Sequence, residues 1–480
     1  MPHIKQFLLI NPIRIRPVVG PIAFDYLSSS LKRAGYSVDL IDHSFNDLKT
    51  SLTRYFTENS PLAIGITVRN IDTCLFQGQT FFLDDIKQLI AGLKSQQTAP
   101  IILGGVGFSV APKAVLIYCN ADFGVCSDGE ETLPVLLNAL NKNRDFTKIP
   151  NLLYWNGEQL MENEIKFADL TNYYPERRFI DNLRYFEEGG QGNIETKRGC
   201  NQKCIYCADP ICKGSKIRLK SPEQVCAEFK MLIAQGVTCF HICDSEFNNP
   251  LSHAKEVCRA IIEHDLQTQM TWYPYCSPLP FDDELAELMK RAGCAGINFG
   301  VDSGDDAMLH TFRRTHRVKD IIRLTEMCKH HNLILMYDLL IGGPGETRES
   351  IKTTIDLIKE VRPHRAGFSI GVRIYHGTEL AKIINEEGTI SENPNLYGIK
   401  TNNPSYLKPL FYLSSEMGGT SVFSYIGTLV EKDPMWFFAD PSDQDSNYNY
   451  NENLTLVEAI QRGYRGAYWD ILRRMRDAPL

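Results

Sequence analysis

The sequence predicts an α/β protein of two successive domains on three observations. Strand and helix alternate over residues 1–150, the alternation restarts near residue 191 for six further units, and a cysteine triplet, Cys200-x3-Cys204-x2-Cys207, follows the first strand of the second run. Parallel strands bury both faces and need a crossover helix, so they read as short apolar runs separated by amphipathic segments. The expected architecture is a Rossmann-like domain (1–150), a connector (151–190), a partial (β/α)6 barrel (191–387) and an aromatic-rich C-terminal extension (388–480).

In the first domain, strands are expected at 6–10, 37–42, 62–68, 100–103 and 122–125, with a helix at 20–34 that stops at Gly35. Ligands of such sheets bind beyond the carboxyl ends of the strands. The sequence places Asn11, Thr67, Gly104-Gly105-Val106-Gly107 and Ser127-Asp128-Gly129-Glu130 there. Glycines at such an edge let a bulky ligand approach the backbone. Arg69-Asn70-Ile71-Asp72 is a polar cluster at the same edge, where Arg69 either meets a ligand or the other domain, or pairs with Asp72. Asn156-Gly157 between two apolar runs marks a hairpin in the connector.

In the second domain, strands are expected at 194–196, 239–243, 270–275, 296–301, 333–341 and 367–375, with helices at 222–235, 254–264, 282–291, 318–331 and 349–361. Barrel sites form at the carboxyl-terminal mouth. There the sequence sets Asp244-Ser245-Glu246, Asp302-Ser303, Gly342-Gly343-Pro344-Gly345 and Arg373. A helix cap at Asp302 or Ser303 and a simple turn at the glycines remain open readings. Beyond the barrel, the aromatic tail is expected to close with a helix at 455–474 after a polar stretch at 442–453. One or two of Tyr406, Phe411 and Tyr412 are expected to line the pocket.

Composition narrows the function. With 480 residues, 43% of them hydrophobic, and a net charge of −7, the chain is globular and carries no polyanion footprint, so nucleic acid is not an expected partner. Neither a bilayer-length apolar run nor a signal-peptide core is present, which points to the cytoplasm and away from a membrane. Fourteen cysteines without a secretory signal read as reduced thiols; Cys226, Cys258 and Cys328 fall on helix-like apolar positions as packed small hydrophobes.

Only the triplet has metal spacing. Three thiolates on one loop can hold three corners of a cubane cluster and leave the fourth iron open. Cys212, five positions beyond Cys207, keeps open a closed four-cysteine zinc site in a zinc-stabilised binding protein, although such knuckles normally use two separated pairs. With Tyr206 before its last cysteine, the triplet resembles the signature of radical S-adenosylmethionine (SAM) enzymes, and the strand ends of the first domain resemble the cobalamin-binding domain often fused to them.

The resemblance implies that Cys200, Cys204 and Cys207 bind a 4Fe-4S cluster. It implies that Tyr206, Asp244, Ser245, Glu246, Asp302, Ser303, Gly343 and Arg373 contact SAM, and that Asn11, Thr67, Arg69, Gly104, Gly105, Gly129 and Glu130 contact cobalamin. The loop 11–20 holds no histidine, so no axial imidazole is expected from it. Asp302 stands where glutamate is commoner, and His376 where proline is. The activity implied is reductive cleavage of SAM and, with cobalamin, methylation of an unactivated carbon of a small molecule, fed by an external electron donor such as flavodoxin or ferredoxin. The alternative is non-methylating chemistry such as cyclisation, rearrangement or oxidation. A methylthiotransferase needs three more cysteines in the first domain, for which only Cys74, Cys119 and Cys126 are available.

Overall fold

The structure, a computed structural model, describes residues 6–142, 144–438 and 450–477. His3 and residues 442–449 of the polar stretch lie outside them. The first sheet holds β1 (Gln6–Asn11), β2 (Ser37–Asp42), β3 (Ala63–Thr67), β4 (Ile101–Gly104) and β5 (Phe123–Val125), all parallel, in the order β2-β1-β3-β4-β5. Alternation along β1 splits two cores: Phe7 and Leu9 enter one, Leu8 and Ile10 the other. The hairpin expected in the connector, β6 (Leu152–Asn156) and β7 (Gln159–Glu162), pairs antiparallel onto β5. The first unit therefore runs through Glu162 and does not stop at residue 150.

The second sheet begins with β8 (Gly192–Ile194). A two-stranded ribbon, β9 (Lys197–Arg198) and β10 (Arg218–Leu219), then brackets the cysteine loop. Next come β11 (Cys239–Ile242), β12 (Thr271–Cys276), β13 (Ile297–Asp302), β14 (Leu335–Ile341) and β15 (Arg365–Ile370), parallel in sequence order from β8. The sixth strand, expected at 367–375, is cut at Gly371. Its end, β16 (Val372–Arg373), leaves the barrel to join β17 (Leu396–Gly398) and β18 (Leu410–Tyr412) in an antiparallel sheet. The extension returns a seventh strand to the barrel, β19 (Trp436–Phe437), parallel to β15.

Helices between the strands form where expected, with local reasons. Pro222–Ile233 starts at a Ser221/Gln224 capping box with proline in its first turn, and buries Val225, Phe229 and Leu232 against the sheet. The expected closing helix is two, Leu454–Gln461 and Tyr468–Asp477; Gly463 and Gly466, both at positive φ, lie between them. No helix among the described residues is long and apolar enough to cross a membrane.

A buried ionic lock fixes the domains against each other. Arg177 of the connector, 0% exposed, pairs with Asp25 at 3.0 Å and Glu228 at 2.8 Å; Lys220 pairs with Glu228 at 2.8 Å, and the Tyr26 hydroxyl donates to the same carboxylate. Alongside, Asp128 of the first domain accepts from Arg198 and Arg218 on the two strands of the ribbon, and Arg198 also pairs with Glu130 at 2.7 Å. Burial alone raises the Glu195 carboxyl, yet Arg198 and Lys220 outweigh it and hold it down to about 2.

Candidate active site

The cysteine loop leaves the ribbon through Gly199. Its φ of +91° and the Lys216 carbonyl, 2.3 Å from where a Cβ would stand, admit no side chain. Cys200, Cys204 and Cys207 then line a cavity of about 170 Å³ that also receives Tyr206, Ser245, Glu246, Asp302 and Arg314. Burial pushes the Cys200 thiol up to about 11 and raises Cys204 and Cys207 as well. Such thiols ionise when a metal takes the proton's place.

Among the described residues no three Cys, His, Asp or Glu side chains converge as the ligands of a single ion do. A cubane does not need that convergence, because each thiolate meets a different iron, whereas tetrahedral zinc does. Cys212 is 3% exposed and packs into the apolar core of the first domain, so the four-cysteine zinc site fails. The cysteines of the methylthiotransferase alternative are also dispersed: Cys119 and Cys126 are in the same core, while Cys74 faces the Tyr375 hydroxyl at 2.9 Å.

The expected SAM residues divide. Glu246 reaches the cavity with Oε2 buried and without a hydrogen-bond partner, and burial raises its pKa against the pull of Arg314. Ser245 donates to Asp209 at 2.5 Å. Asp302, at φ +63° on an irregularity in the β13 ladder, accepts from the Tyr206 hydroxyl. The rest do other work. Asp244 accepts from the Thr196 amide at 2.8 Å, the Thr196 hydroxyl and the Lys197 amide, which anchors the start of the ribbon and keeps it off the cavity. Ser303, fully buried, meets Thr354 at 3.0 Å, and Gly343 lies against the Phe312 ring. Arg373 pairs with Asp72 at 2.9 Å and donates to the Tyr406 and Leu407 carbonyls, so it clamps the domains; Asp72 is therefore not the partner of Arg69.

The expected cobalamin residues divide too. Asn11 is buried and donates to Asp42, Ser44 and Tyr185 at 3.0 to 3.1 Å. Glu130 belongs to the lock, and Gly129 packs on Leu27. Gly105, at φ +101°, lets the Val68 carbonyl come within 2.7 Å of its would-be Cβ, which seats the loop after β3 beside Thr67. That loop projects Arg69, whose carbonyl accepts from the Gly107 amide at 3.0 Å while its side chain makes no hydrogen bond or ion pair among the described residues. Arg69 has free surface, yet burial lowers its pKa; Tyr275 is 40% exposed, yet burial pushes its phenol up. Neighbouring atoms desolvate both groups although part of each side chain stays accessible, and Tyr275 lines the cavity of the cysteine loop. His241 lies edge-on to Tyr275 at 5.0 Å, and burial lowers it to about 4. The accessible guanidinium, the buried unpartnered Ser127 hydroxyl and the side-chain-free edge at Gly104 suit a large amide-bearing ligand between the domains. No histidine comes from the loop 11–20; His43 bonds the Asn46 carbonyl.

Sequence reasoning missed Arg314, Asp209, Tyr275 and Asp338, all of which line the cavity. It also misplaced the aromatic contribution of the extension. Phe411 and Tyr412 are buried in the small sheet, and Tyr406 lines a separate surface groove with His376. The extension instead brings Tyr450 and Tyr468 edge-on to each other at 5.5 Å, close enough to Tyr275 and Arg69 respectively to interact with them electrostatically.

A domain of this first kind joined to a cluster-bearing barrel defines a class of enzyme, and comparison with known proteins agrees. The model of the radical SAM superfamily matches residues 194–358, and that of the B12 binding domain residues 12–137. The tryptophan 2-C-methyltransferase of Streptomyces laurentii is 30% identical over 96% of this chain and 94% of its own. The radical SAM methyltransferase TsrM of Kitasatospora setae, solved with tryptophan and a SAM analogue, has a TM-score of 0.91 at 27% identity over 98% of both chains. Solved with cobalamin and the 4Fe-4S cluster, it has a TM-score of 0.88 at 26% identity over 99% of this chain and 98% of its own. The chain belongs to the cobalamin-dependent radical SAM methyltransferases, enzymes that work with a 4Fe-4S cluster, SAM and cobalamin to methylate a carbon of a small molecule.

Proposed function

We propose that the substrate is tryptophan, or a close indole amino acid, and that the methyl group goes to C2 of the indole. The observation that carries this reading is the lining of the cavity at the cysteine loop. Tyr206 and Tyr275 give it aromatic walls, and His241 lies edge-on to Tyr275. The same cavity sets four carboxylates, Asp209, Glu246, Asp302 and Asp338, around one guanidinium, Arg314. An aromatic ring with an ammonium group matches that lining, as does the ammonium and sulfonium of SAM. Likeness over the full length to a tryptophan methyltransferase supports the same substrate.

In this reading Cys200, Cys204 and Cys207 hold the cluster, and Glu246, with Ser245, Asp302 and Tyr206 beside it, forms the SAM site. Arg69, Thr67, Gly104 and Gly105 lie against cobalamin. When bound, the cofactors supply the electron and the methyl group; the chain binds, orients and excludes water. Electrons come from an external donor of the flavodoxin or ferredoxin class. Anaerobic reconstitution with cobalamin, SAM and tryptophan tests the proposal. S-adenosylhomocysteine forming in step with 2-methyltryptophan supports it. Turnover of SAM to 5′-deoxyadenosine with tryptophan untouched returns the chain to another substrate or to non-methylating chemistry.

A further inference from the structure

Arg314 and Asp302 tie the cysteine loop to the barrel through a closed polar chain. Arg314 Nη1 donates to Cys204 Sγ at 3.0 Å and Nη2 to the Gly300 carbonyl at 2.8 Å, while Nε lies 3.3 Å from Asp302. Asp302 in turn accepts from the hydroxyl of Tyr206, which stands between Cys204 and Cys207 in the loop. Arg314 is 7% exposed and Asp302 6%, so neither charge is well screened by water. The planar fork of arginine reaches sulfur, carbonyl and carboxylate at once, which the single ammonium of lysine cannot do.

A cationic donor on a ligating sulfur draws electron density from the cluster and favours its more negative, reduced state; a nearby carboxylate does the reverse. We propose that this pair sets the reduction potential of the cluster, Arg314 raising it and Asp302 lowering it. Arg314 is thus a tuning and positioning residue that acts through Cys204. The inference rests on the reading that the triplet holds the cluster. Iron and sulfide analysis of the wild-type protein checks that reading separately, since a wild type without a cluster defeats the reading and not the pairing.

The test is a potentiometric titration of the anaerobically reconstituted full chain, without SAM, followed by electron paramagnetic resonance. Arg314→Met keeps the apolar stem and removes the charge. It is expected to move the reduction equilibrium at least tenfold toward the oxidised cluster, about 59 mV for one electron. Asp302→Asn keeps a side chain that tolerates positive φ and is expected to move the equilibrium the opposite way. Arg314→Lys falls between wild type and Arg314→Met, and it decides together with Asp302→Asn if the methionine variant loses its cluster. Variants with wild-type iron content whose equilibria stay within threefold of wild type, or move in the same direction, overturn the proposal. A residue that only supports the fold leaves the potential of an intact cluster unchanged.

Discussion

Two groups of charges, drawn from both domains, are built in opposite ways. In the interdomain lock, Arg177, Lys220, Asp25 and Glu228 are almost fully buried and each is paired. At the barrel mouth, Glu246 keeps an oxygen without a partner, and the Arg69 side chain makes no ion pair among the described residues. The residue types are the same, so type alone does not mark function. A charge in a desolvated setting whose pairing is left incomplete does. Glu130 and Asp128 show the other side: by sequence they follow a strand end where ligands bind, yet both oxygens of Asp128 are taken by arginines of the ribbon.

The sharpest way to break this contrast is at the loop itself. Cys204→Ala is expected to abolish SAM-dependent turnover and the iron-sulfur absorbance while leaving the thermal transition of the metal-free protein close to wild type. The lock responds in the reverse sense. Arg177→Met strands Asp25 and Glu228 in the interior and is expected to cost about 3–5 kcal/mol of stability, measured by denaturant titration.

Glu346 behaves like the lock although it belongs to the glycine-rich turn: it accepts from the Gly342 amide, and burial raises its carboxyl from 4.5 to about 7. Between those pH values the folded protein holds a proton that the unfolded chain has lost. Stability therefore falls by about 3 kcal/mol as pH rises through that window, and Glu346→Gln is expected to flatten the slope. The smallest effect is expected at the mouth. Glu246→Gln should leave the melting temperature unchanged and weaken SAM binding about 10- to 100-fold, the loss of one charge-assisted hydrogen bond, read by equilibrium binding. A large loss of stability in that variant would place Glu246 with the lock.

Much of the fold was legible because parallel strands and their helices write periodic apolar patterns. Strands such as β2 and helices such as Val318–His330 fall within a residue of expectation. The triplet was legible because its three cysteines sit on one loop at a fixed spacing. What escaped depends on distance along the chain. Arg373 meets Asp72 across 301 residues, and Arg314 reaches Cys204 across 110, with no spacing rule to announce either. Asp244 was misplaced because a carboxylate at a strand end reads alike whether it holds a ligand or, as here, the Thr196 amide. β19 is two residues long, below the length at which alternation carries any signal.

On the proposed function, the cavity between the cysteine loop and Tyr275 is where a methyl group meets an indole amino acid. The most direct measurement supplies the reconstituted protein, under anaerobic conditions, with cobalamin, methyl-labelled SAM and tryptophan, and follows the label by mass spectrometry. The account predicts labelled 2-methyltryptophan, one per S-adenosylhomocysteine formed, and none from the Cys204→Ala protein. Label that never reaches tryptophan in a protein carrying both cluster and cobalamin would contradict it.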